Sequence, residues 1–319
     1  MARMQLGMTL AIANPTSHSG KSVAGAESVR RFFETYTAAT TGFELRFTAA
    51  AGDAERIAAE AEGYDTILVI GGDGVIHEAV NGLMTIEEAR RPRLAIVPFG
   101  SGNDYARTLG LAANDPEKAL SQLLTGSELS LDLGLVSSDA YPQSVYFTES
   151  LSFGLDAAIA LDTTMRRAEG TRQQGEGLFL TSSLKLALRA SKGYPCVAQI
   201  DGDKPMYLTS LIFAVLNGPT YGGGFRICPQ ANPRDGVLDV CYNVRHPWMP
   251  HLMFLLGLAR FGLHARSRLV RLRTFSKAQI EFPEGAPCQV DGEELAGTRF
   301  SIEVVPKALR VVASRNHCW

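Results

Sequence analysis

The chain has 319 residues, of which 45% are hydrophobic and 20% are charged, and its formal net charge is −2 at pH 7. This length favours two domains with a core each, and the near-neutral charge argues against a nucleic-acid-binding protein. The 5 cysteines are scattered without a Cys-x-x-Cys pair, which indicates reduced thiols rather than disulfides or a zinc site. No apolar run reaches the roughly 18–20 residues of a spanning helix, so we expect a cytoplasmic protein.

The first part of the chain alternates strands and helices. The predicted elements, in chain order, are strand Thr9–Ala13, helix Ser22–Tyr36, strand Phe43–Thr48, helix Ala54–Ala61, strand Thr66–Ile70, helix His77–Leu83, strand Leu94–Val97 and helix Asp104–Leu109. This alternation predicts a Rossmann-like three-layer α/β domain over residues 1–129, with a parallel sheet covered by helices on both faces. Ligands of such sheets bind beyond the carboxyl ends of the strands.

After about Leu129 the pattern becomes β-rich. Predicted strands are Leu131–Val136, Ser144–Ser150, Val197–Asp201, Tyr207–Leu216, Leu238–Asn243, Leu269–Phe275, Ala278–Phe282 and Arg299–Val305. Helical stretches are predicted near Gly177–Lys192 and Pro247–Leu263. The short strands between turn residues predict an antiparallel β-sandwich domain over residues 130–305. We expect the last strand, Leu309–Ser314 within about 306–319, to return to the first domain.

The most informative motif is the turn Gly71-Gly72-Asp73-Gly74, between an apolar strand and a helix. Glycines allow close backbone approach, and N–H groups at a helix start bind phosphate oxygens. Asp73 would then act through a magnesium ion or as a base. The alternative is a tight turn in which Asp73 only caps the helix.

Two further loops follow strands in the same way. Val97–Asp104 contains Gly100 and Gly102 and opens a helix, where Asn103 or Asp104 could simply be a cap. Asn14–Ser22 ends in Gly-Lys-Ser, but Pro15 occupies a position where a Walker A loop requires glycine, so that motif is excluded. Loops after neighbouring parallel strands lie at one edge of the sheet, which predicts a nucleotide-phosphate site there.

These motifs resemble the diacylglycerol kinase catalytic-domain family, which includes soluble bacterial lipid kinases, sphingosine kinases and ceramide kinases. The resemblance covers nearly the whole chain, from Asn14 to about Val312. It is carried by ordered blocks: Gly71–Gly74 with His77–Leu83, Pro98–Arg107, Thr148–Asp156, Asn217–Phe225, Pro229–Ala231 with Asp235–Val240, and Val290–Glu293.

The resemblance implies an ATP site and bound Mg²⁺. The ATP-site residues would be Asn14, Pro15, Thr16, Ser17, Thr48, Gly71, Gly72, Asp73, Gly74, Val75, Gly100 and Ser101. Glu78, one turn into the helix, would reach a nucleotide hydroxyl or a metal-bound water, unless it is only an exposed helix residue. A structural Mg²⁺ would map to Asn232, Asp235 and Val237, where oxygen ligands suit a hard cation. From spacing alone, Asp235-Gly236 is an ordinary hairpin turn.

The candidate catalytic acids are Asp291, Glu293 and Asp73. Asp291 and Glu293 are two residues apart, and in an extended segment they would share one face. Bacterial members of the family are assigned a base in this block, whereas sphingosine kinases are assigned the aspartate that matches Asp73. We favour Asp291 or Glu293 as the base and Asp73 as the magnesium–ATP residue; Asp291-Gly292 also fits a hairpin turn.

The sequence therefore predicts an ATP-dependent lipid kinase. Diacylglycerol, giving phosphatidic acid, is the default acceptor; sphingoid bases, ceramide and phosphatidylglycerol are alternatives, as are an NAD kinase and a non-catalytic ATP-binding regulator. The apolar stretch Trp248–Leu258, followed by arginines, could rest transiently on an anionic membrane, or could be a buried helix followed by a solvated strand edge. A homodimer is possible.

Overall fold

The structure is a computed structural model that describes residues 4–168, 181, 192–245 and 248–319. The chain divides into two compact units: unit 1 comprises residues 1–131 and 307–318, and unit 2 comprises residues 132–306 with Trp319. The predicted helix near Gly177–Lys192 lies outside the described residues except at positions 181 and 192. All of the cysteines are free thiols.

Unit 1 has the predicted α/β alternation. Its elements are β1 Met8–Ala13, α1 Lys21–Thr35, β2 Gly42–Phe47, α2 Asp53–Ala59, β3 Thr66–Gly71, α3 Asp73–Met84, β4 Arg93–Pro98, α4 Asp104–Thr108 and α5 Pro116–Thr125. The prediction that the third helix begins at His77 was wrong, because the helix already starts at Asp73. Helix α5 was not predicted, although Asp115 caps it and Pro116 occupies its first turn.

The sheet of unit 1 is parallel, with strand order β2-β1-β3-β4. Helix α1 packs against α5, and α2 packs against α3, which gives the layers of a Rossmann-like domain. The approach of α2 to α3 requires Gly82, where a Cβ atom would lie 2.1 Å from the Glu55 carbonyl oxygen. From β1 the chain crosses to β2 on one side and later to β3 on the other. The strand order therefore reverses between β1 and β3, where doubly wound sheets bind ligands.

Unit 2 is built mainly from antiparallel strands. Its elements, the first beginning in unit 1 and the last ending there, are β5 Ser127–Ser138, β6 Tyr141–Phe147, β7 Ser150–Gly154, α6 Leu155–Ala168, β8 Tyr194–Ile200, β9 Met206–Ser210, β10 Ile212–Leu216, β11 Leu238–Asn243, α7 Met249–Ala259, β12 Val270–Phe275, β13 Lys277–Glu281, β14 Cys288–Val290, β15 Glu293–Glu294 and β16 Arg299–Ala313.

Two sheets of unit 2 enclose an apolar core. One has the order β12-β11-β10-β7-β14-β15, and the other contains β9, β8, β13 and the start of β16. Phe153 lies 5.3 Å from Phe282 and 4.8 Å from Phe300, measured between ring centroids. Side chains alternate along β10, so that Phe213 joins this core and Ala214 joins a second cluster with α6 and α7. The predicted sandwich is confirmed, with helices on the outer face of one sheet.

The end of β16 belongs to unit 1. There Val311 pairs with Leu94 of β4 in the parallel direction. The last strand predicted from sequence, Leu309–Ser314, corresponds to this segment.

Two predicted strands are each divided in the structure. The run Tyr207–Leu216 breaks at Leu211, because β9 pairs with β8 in one sheet and β10 pairs with β7 and β11 in the other. The carboxamide oxygen of Asn243 accepts hydrogen bonds from the N–H groups of Leu211 (2.8 Å) and Ile212 (3.0 Å) at this break. The run Ser144–Ser150 likewise divides into β6 and β7.

Candidate functional site

The candidate phosphate site of unit 1 lies at the carboxyl edge of its parallel sheet. Ala13 is paired with Phe47 and with Ile70, and Gly71 is paired with Pro98, so four strands end side by side. The loops that follow these strands contain Asn14–Ser17, Thr48, Gly72 and Gly100–Ser101 of the predicted nucleotide site. Gly71 ends β3, and the remaining predicted residues, Asp73, Gly74, Val75 and Glu78, lie in helix α3. The register thus brings together loops that are far apart in sequence.

The loop after β1 is held by its own polar groups. The Asn14 side-chain oxygen accepts hydrogen bonds from the Thr16 N–H (2.9 Å) and hydroxyl (2.7 Å), and the Asn14 carbonyl accepts one from the Ser17 N–H (3.2 Å). Helix α1 then begins after Gly20, which has a φ of 86° and no side chain to cap the helix. The first N–H groups of a helix have no acceptor within it, so this start is suited to an anion.

The glycine turn after β3 leads into a second helix start of this kind. Gly72 is the N-cap of α3 and offers no capping side chain. Asp73, Gly74 and Val75 form the first turn of the helix, where the macrodipole favours negative charge. The alternative that Asp73 caps the helix from outside does not hold, since Asp73 is itself the first helical residue.

The glycine turn and the loop after β4 touch through their backbones. A Cβ atom on Gly100 would lie 2.7 Å from the Cα of Gly72 and 2.7 Å from the side-chain oxygen of Asn103. The Phe99 N–H donates to the Gly71 carbonyl at 2.8 Å, and the Asn103 side chain donates to the Gly100 carbonyl at 2.6 Å. Only glycine fits at position 100, and Asn103 is a loop-organising residue with a φ of 52° rather than a simple cap.

Asp73 lies between these two loops. Its Oδ1 is 3.4 Å from the Tyr105 N–H, and its Oδ2 would be 2.8 Å from a Cβ atom on Gly102. Gly102 therefore leaves room for the Asp73 carboxylate, a role that its position in the sequence motif does not reveal. The carboxylate therefore lies between the glycine turn after β3 and the loop after β4, and its role at a metal–nucleotide complex stays a prediction.

Thr48 and Glu78 have structural partners. The Thr48 N–H donates to the Ala13 carbonyl at 2.9 Å, which fixes the loop after β2 against β1. Glu78 Oε2 accepts a hydrogen bond from the Ala54 N–H at 3.1 Å, in the first turn of α2. Asp53, which sequence reasoning missed, accepts hydrogen bonds from Ala49 and Ala50 in the same loop. Glu78 is thus attached to α2 through one carboxylate oxygen.

In unit 2, Asp291 is the first residue of a hairpin turn between β14 and β15. Asp291 has a φ of 47° and Gly292 a φ of 96°, the left-handed conformations of an Asp-Gly turn. The expectation that Asp291 and Glu293 share one face of an extended segment was therefore wrong, and the hairpin alternative is correct. The Asp291 carboxylate accepts hydrogen bonds from the N–H groups of Thr148 (2.8 Å), Glu149 (3.0 Å) and Ser150 (2.9 Å).

Glu293 differs from Asp291 in its surroundings. It lies in β15, opposite Val290, and is exposed. Asp291 thus holds the start of β7 in place, whereas the Glu293 carboxylate faces solvent. The two acids of this block therefore differ in accessibility: the Asp291 carboxylate is bound to backbone N–H groups, and the Glu293 carboxylate is open to solvent.

The predicted metal loop contains oxygen donors that fit a hard cation. The Asn232 side-chain oxygen is buried and has no hydrogen-bond partner among the described residues. Burial raises the pKa of Asp235, as does the nearby Asp132, which sequence reasoning missed. Asp132 also accepts a hydrogen bond from the Gly236 N–H at 2.8 Å. Within the described ranges no group of three or more His, Cys, Asp or Glu side chains could hold a metal, so amide and main-chain oxygens would have to contribute.

A further buried acid in unit 2 is Asp156, at the start of α6. Its Oδ1 accepts a hydrogen bond of 2.6 Å from the Tyr221 hydroxyl. Burial raises the pKa of Asp156 to about 6, and the hydrogen bonds from Tyr221 and Ser152 only partly offset this. A buried acid with such a raised pKa is a functional candidate; the sequence showed it only as the last residue of a motif block.

Comparison with known proteins agrees with this arrangement. Residues 8–136 match the family described as diacylglycerol kinase catalytic domain, and residues 149–313 match the YegS C-terminal NAD kinase beta sandwich-like domain. The chain is 31% identical over 294 residues to a probable YegS-like lipid kinase of Pseudomonas aeruginosa, with 90% of each chain covered. It is 27% identical to a diacylglycerol kinase of Mycobacterium tuberculosis, with 99% and 98% covered.

A solved structure shares the fold. The crystal structure of a putative diacylglycerol kinase from Bacillus anthracis superposes with a TM-score of 0.78 at 22% identity, with 99% of each chain covered. The fold of this chain thus occurs in a relative that matches it along its length. This chain belongs to the family of YegS-like lipid kinases, with a diacylglycerol kinase catalytic domain in its N-terminal part.

Proposed function

We propose that the protein transfers the γ-phosphoryl group of ATP to a hydroxyl group of a membrane lipid, with diacylglycerol as the first acceptor to test. The observation that carries the proposal is the edge of the unit 1 sheet, where α1 and α3 both begin without a capping side chain. Two such helix starts beside glycine loops favour an oligophosphate over a single carboxylate. The relative named diacylglycerol kinase supports the choice of acceptor.

On the nucleotide side, the chain supplies mainly backbone groups. Asn14–Ser17 and Gly71–Val75 would hold the phosphates through N–H groups, and Gly100–Ser101 would complete the loop contact. Because these donors are preorganised by hydrogen bonds within the loops, they need no rearrangement as charge develops during phosphoryl transfer.

On the acceptor side, Glu293 is the proposed general base and Asp291 a positioning residue. The lipid hydroxyl oxygen forms a bond to the γ-phosphorus, the bond from that phosphorus to the β–γ bridging oxygen breaks, and ADP leaves. The hydroxyl proton passes to the Glu293 carboxylate and then to water. Asp291 is less suited to accept the proton, because both of its oxygens already accept hydrogen bonds from the Thr148–Ser150 segment.

Two sets of residues would hold Mg²⁺. Asp73 would serve a cation bound with the nucleotide, while Asn232, Asp235, the Val237 carbonyl and Asp132 would hold a structural one. Mg²⁺ bound to ATP neutralises phosphate charge during transfer. The observation that fits a structural cation is the buried Asn232 side-chain oxygen, which has no hydrogen-bond partner among the described residues and belongs to the same loop as Asp235.

A surface around α7 supports access to a membrane lipid. The helix buries Leu252, Leu255 and Ala259. Large apolar side chains before, on and after it are exposed, with exposed fractions of 70% for Trp248, 62% for Phe254 and 71% for Phe261. Three exposed arginines follow: Arg266, Arg268 and Arg271. Aromatic side chains beside arginines are typical of surfaces that lie in the interface of an anionic bilayer. No helix in the described part of the chain is long and apolar enough to span a membrane.

The decisive experiment offers the purified protein labelled ATP with mixed vesicles containing diacylglycerol, ceramide, sphingosine or phosphatidylglycerol, and NAD in a separate reaction. We expect labelled phosphatidic acid, and a decrease of about 10²–10⁴-fold in kcat for Glu293→Gln. Labelled NADP would identify an NAD kinase, and ATP binding without transfer to any acceptor would identify a regulator; either result would overturn the proposal. Full activity in Glu293→Gln would show that another group is the base.

A further inference from the structure

Strand β2 forms one edge of the unit 1 sheet. It pairs with β1 over all of Gly42–Phe47 without a bulge, and no other strand of the described ranges pairs with it. The segment contains neither proline nor lysine, which often protect an exposed edge in soluble proteins. A regular, unprotected edge of this length is a template for another strand.

The outward-facing groups of β2 can be identified from its pairing with β1. The Thr48 N–H donates to the Ala13 carbonyl, on the side of β1. Because backbone groups alternate along a strand, the N–H and C=O groups of Phe43, Leu45 and Phe47 point away from β1. The side chains of these three residues share one face. On that face Phe43 stacks on Phe33 of α1 at 4.8 Å, and the Phe47 side chain is 47% exposed.

The sequence Phe-Glu-Leu-Arg-Phe at residues 43–47 is complementary to itself in the antiparallel direction. A two-fold axis at Leu45 would place Phe43 opposite Phe47 of a second copy, and Glu44 opposite Arg46 of that copy. Registers displaced to either side that use the same outward groups would place Glu44 opposite Glu44, or Arg46 opposite Arg46. Like charges directly opposite each other destabilise a strand pair, so the charges select one register.

We propose that two copies of this chain form a symmetric dimer by antiparallel pairing of their β2 strands, centred on Leu45. Reciprocal main-chain hydrogen bonds form at Leu45 and at both Phe43–Phe47 positions. A groove of about 890 Å³ lies between α1 and β2 and is lined by Phe33, Phe43, Leu45 and Phe47. In the dimer the grooves of the two copies join across the two-fold axis, and the exposed Phe47 rings become buried there. On the other face, Glu44 and Arg46 form an ion pair of 2.7 Å within each chain, and their side chains are 41% and 36% exposed. In the dimer each of them also faces the opposite charge of the second copy.

The test uses charge reversal in the full-length protein and sedimentation velocity over a range of concentrations. Wild type is expected to dimerise, whereas Arg46→Glu and Glu44→Arg each place like charges opposite each other and should raise the dimer dissociation constant at least tenfold. An equal mixture of the two variants should restore the dimer, because each then faces its opposite charge. Lys204→Glu, at an exposed position of unit 2 that belongs neither to the strand nor to the groove lining, is the matched control for a change of charge and should leave the dimer intact.

The mixture separates charge pairing from damage to the fold, since unfolded variants could not rescue each other. If either charge variant fails to fold, Phe47→Ser decides, because its exposed side chain is not needed for the monomer and its loss should also weaken the dimer at least tenfold. A wild-type protein that stays monomeric at every concentration would overturn the proposal. So would a dimer unaffected by these variants, or charge variants that stay apart when mixed.

Discussion

In unit 1 the candidate site consists largely of backbone: helix starts without capping side chains, and glycine loops so close that a Cβ atom at Gly100 would lie 2.7 Å from the Gly72 Cα. In unit 2 the candidate groups are carboxylates: Asp291 bound to three N–H groups, Glu293 exposed, and Asp132 and Asp156 among buried neighbours. The first kind of site depends on space and the second on charge. Substitutions in unit 1 should therefore act through steric clashes, whereas substitutions in unit 2 should act through lost hydrogen bonds or a changed protonation state.

The largest effect on ATP binding is expected at Gly100, where the backbones of two loops are in contact. Gly100→Ala would force the two loops apart, and we expect it to weaken ATP binding more than about tenfold and to lower the free energy of unfolding by about 1–3 kcal/mol. Isothermal titration with ATP and urea unfolding measure these two quantities. Gly257→Ala is the matched control, because a Cβ atom there meets no neighbour and alanine favours the helix. Unchanged ATP affinity in Gly100→Ala would contradict the backbone-contact account.

Asp291→Asn tests the charge-based site. An amide cannot accept hydrogen bonds at both of its ends, so the Thr148–Ser150 segment would lose one or more bonds to a charged acceptor, each worth about 1.5–3 kcal/mol. We expect a loss of this size in urea unfolding. Glu293→Gln should change the free energy of unfolding by less than about 0.5 kcal/mol, because this side chain is exposed. Equal stability of the two variants would remove the distinction between a positioning acid and a reactive one.

Asp156 adds a pH dependence of a definite sign. Because its pKa is raised to about 6, the folded protein keeps a proton that the unfolded chain has released above about pH 4. The contribution of Asp156 to stability is therefore largest at low pH and is lost as the pH rises through 6. Asp156→Asn should gain stability relative to wild type from about pH 4 to pH 6 and little further at higher pH, by about 3 kcal/mol in total, because a tenfold difference in proton affinity is worth about 1.4 kcal/mol. Thermal unfolding across this range measures it, and a constant difference would contradict the assignment. Glu284→Gln, at an exposed position, is the control.

The smallest effect concerns the cation. Without nucleotide, Mg²⁺ at about ten times its dissociation constant should stabilise the protein by about 1.4 kcal/mol. Asp235→Asn should abolish this gain, while Glu284→Gln should retain it. Melting temperatures measured with Mg²⁺ and with a chelator provide the comparison; a gain that survives in Asp235→Asn would assign the cation to other residues.

Much of the architecture follows from local patterns. Alternating strands and helices predicted the parallel sheet, and the loops containing Asn14, Gly71 and Gly100 were placed at one edge because the carboxyl ends of parallel strands coincide. The start of α3 was missed because glycines at its first positions resemble a turn when read without the packing around them. The division at Leu211 was missed because β9 and β10 form one continuous β-rich run in the sequence.

The sequence by itself determined the alternation of strands and helices in unit 1, the β-rich character of unit 2 and the positions of the glycine loops, because hydrophobic periodicity and glycine both act on neighbouring residues. Only the tertiary structure decided which residues serve one another. Asp291 holds Thr148, 143 positions away, Asp132 reaches Gly236, and Gly102 makes room for Asp73. These pairs arise when sheets align distant strands and exclude water. No local pattern records such partners, because each residue alone is compatible with a turn, a cap or an exposed surface.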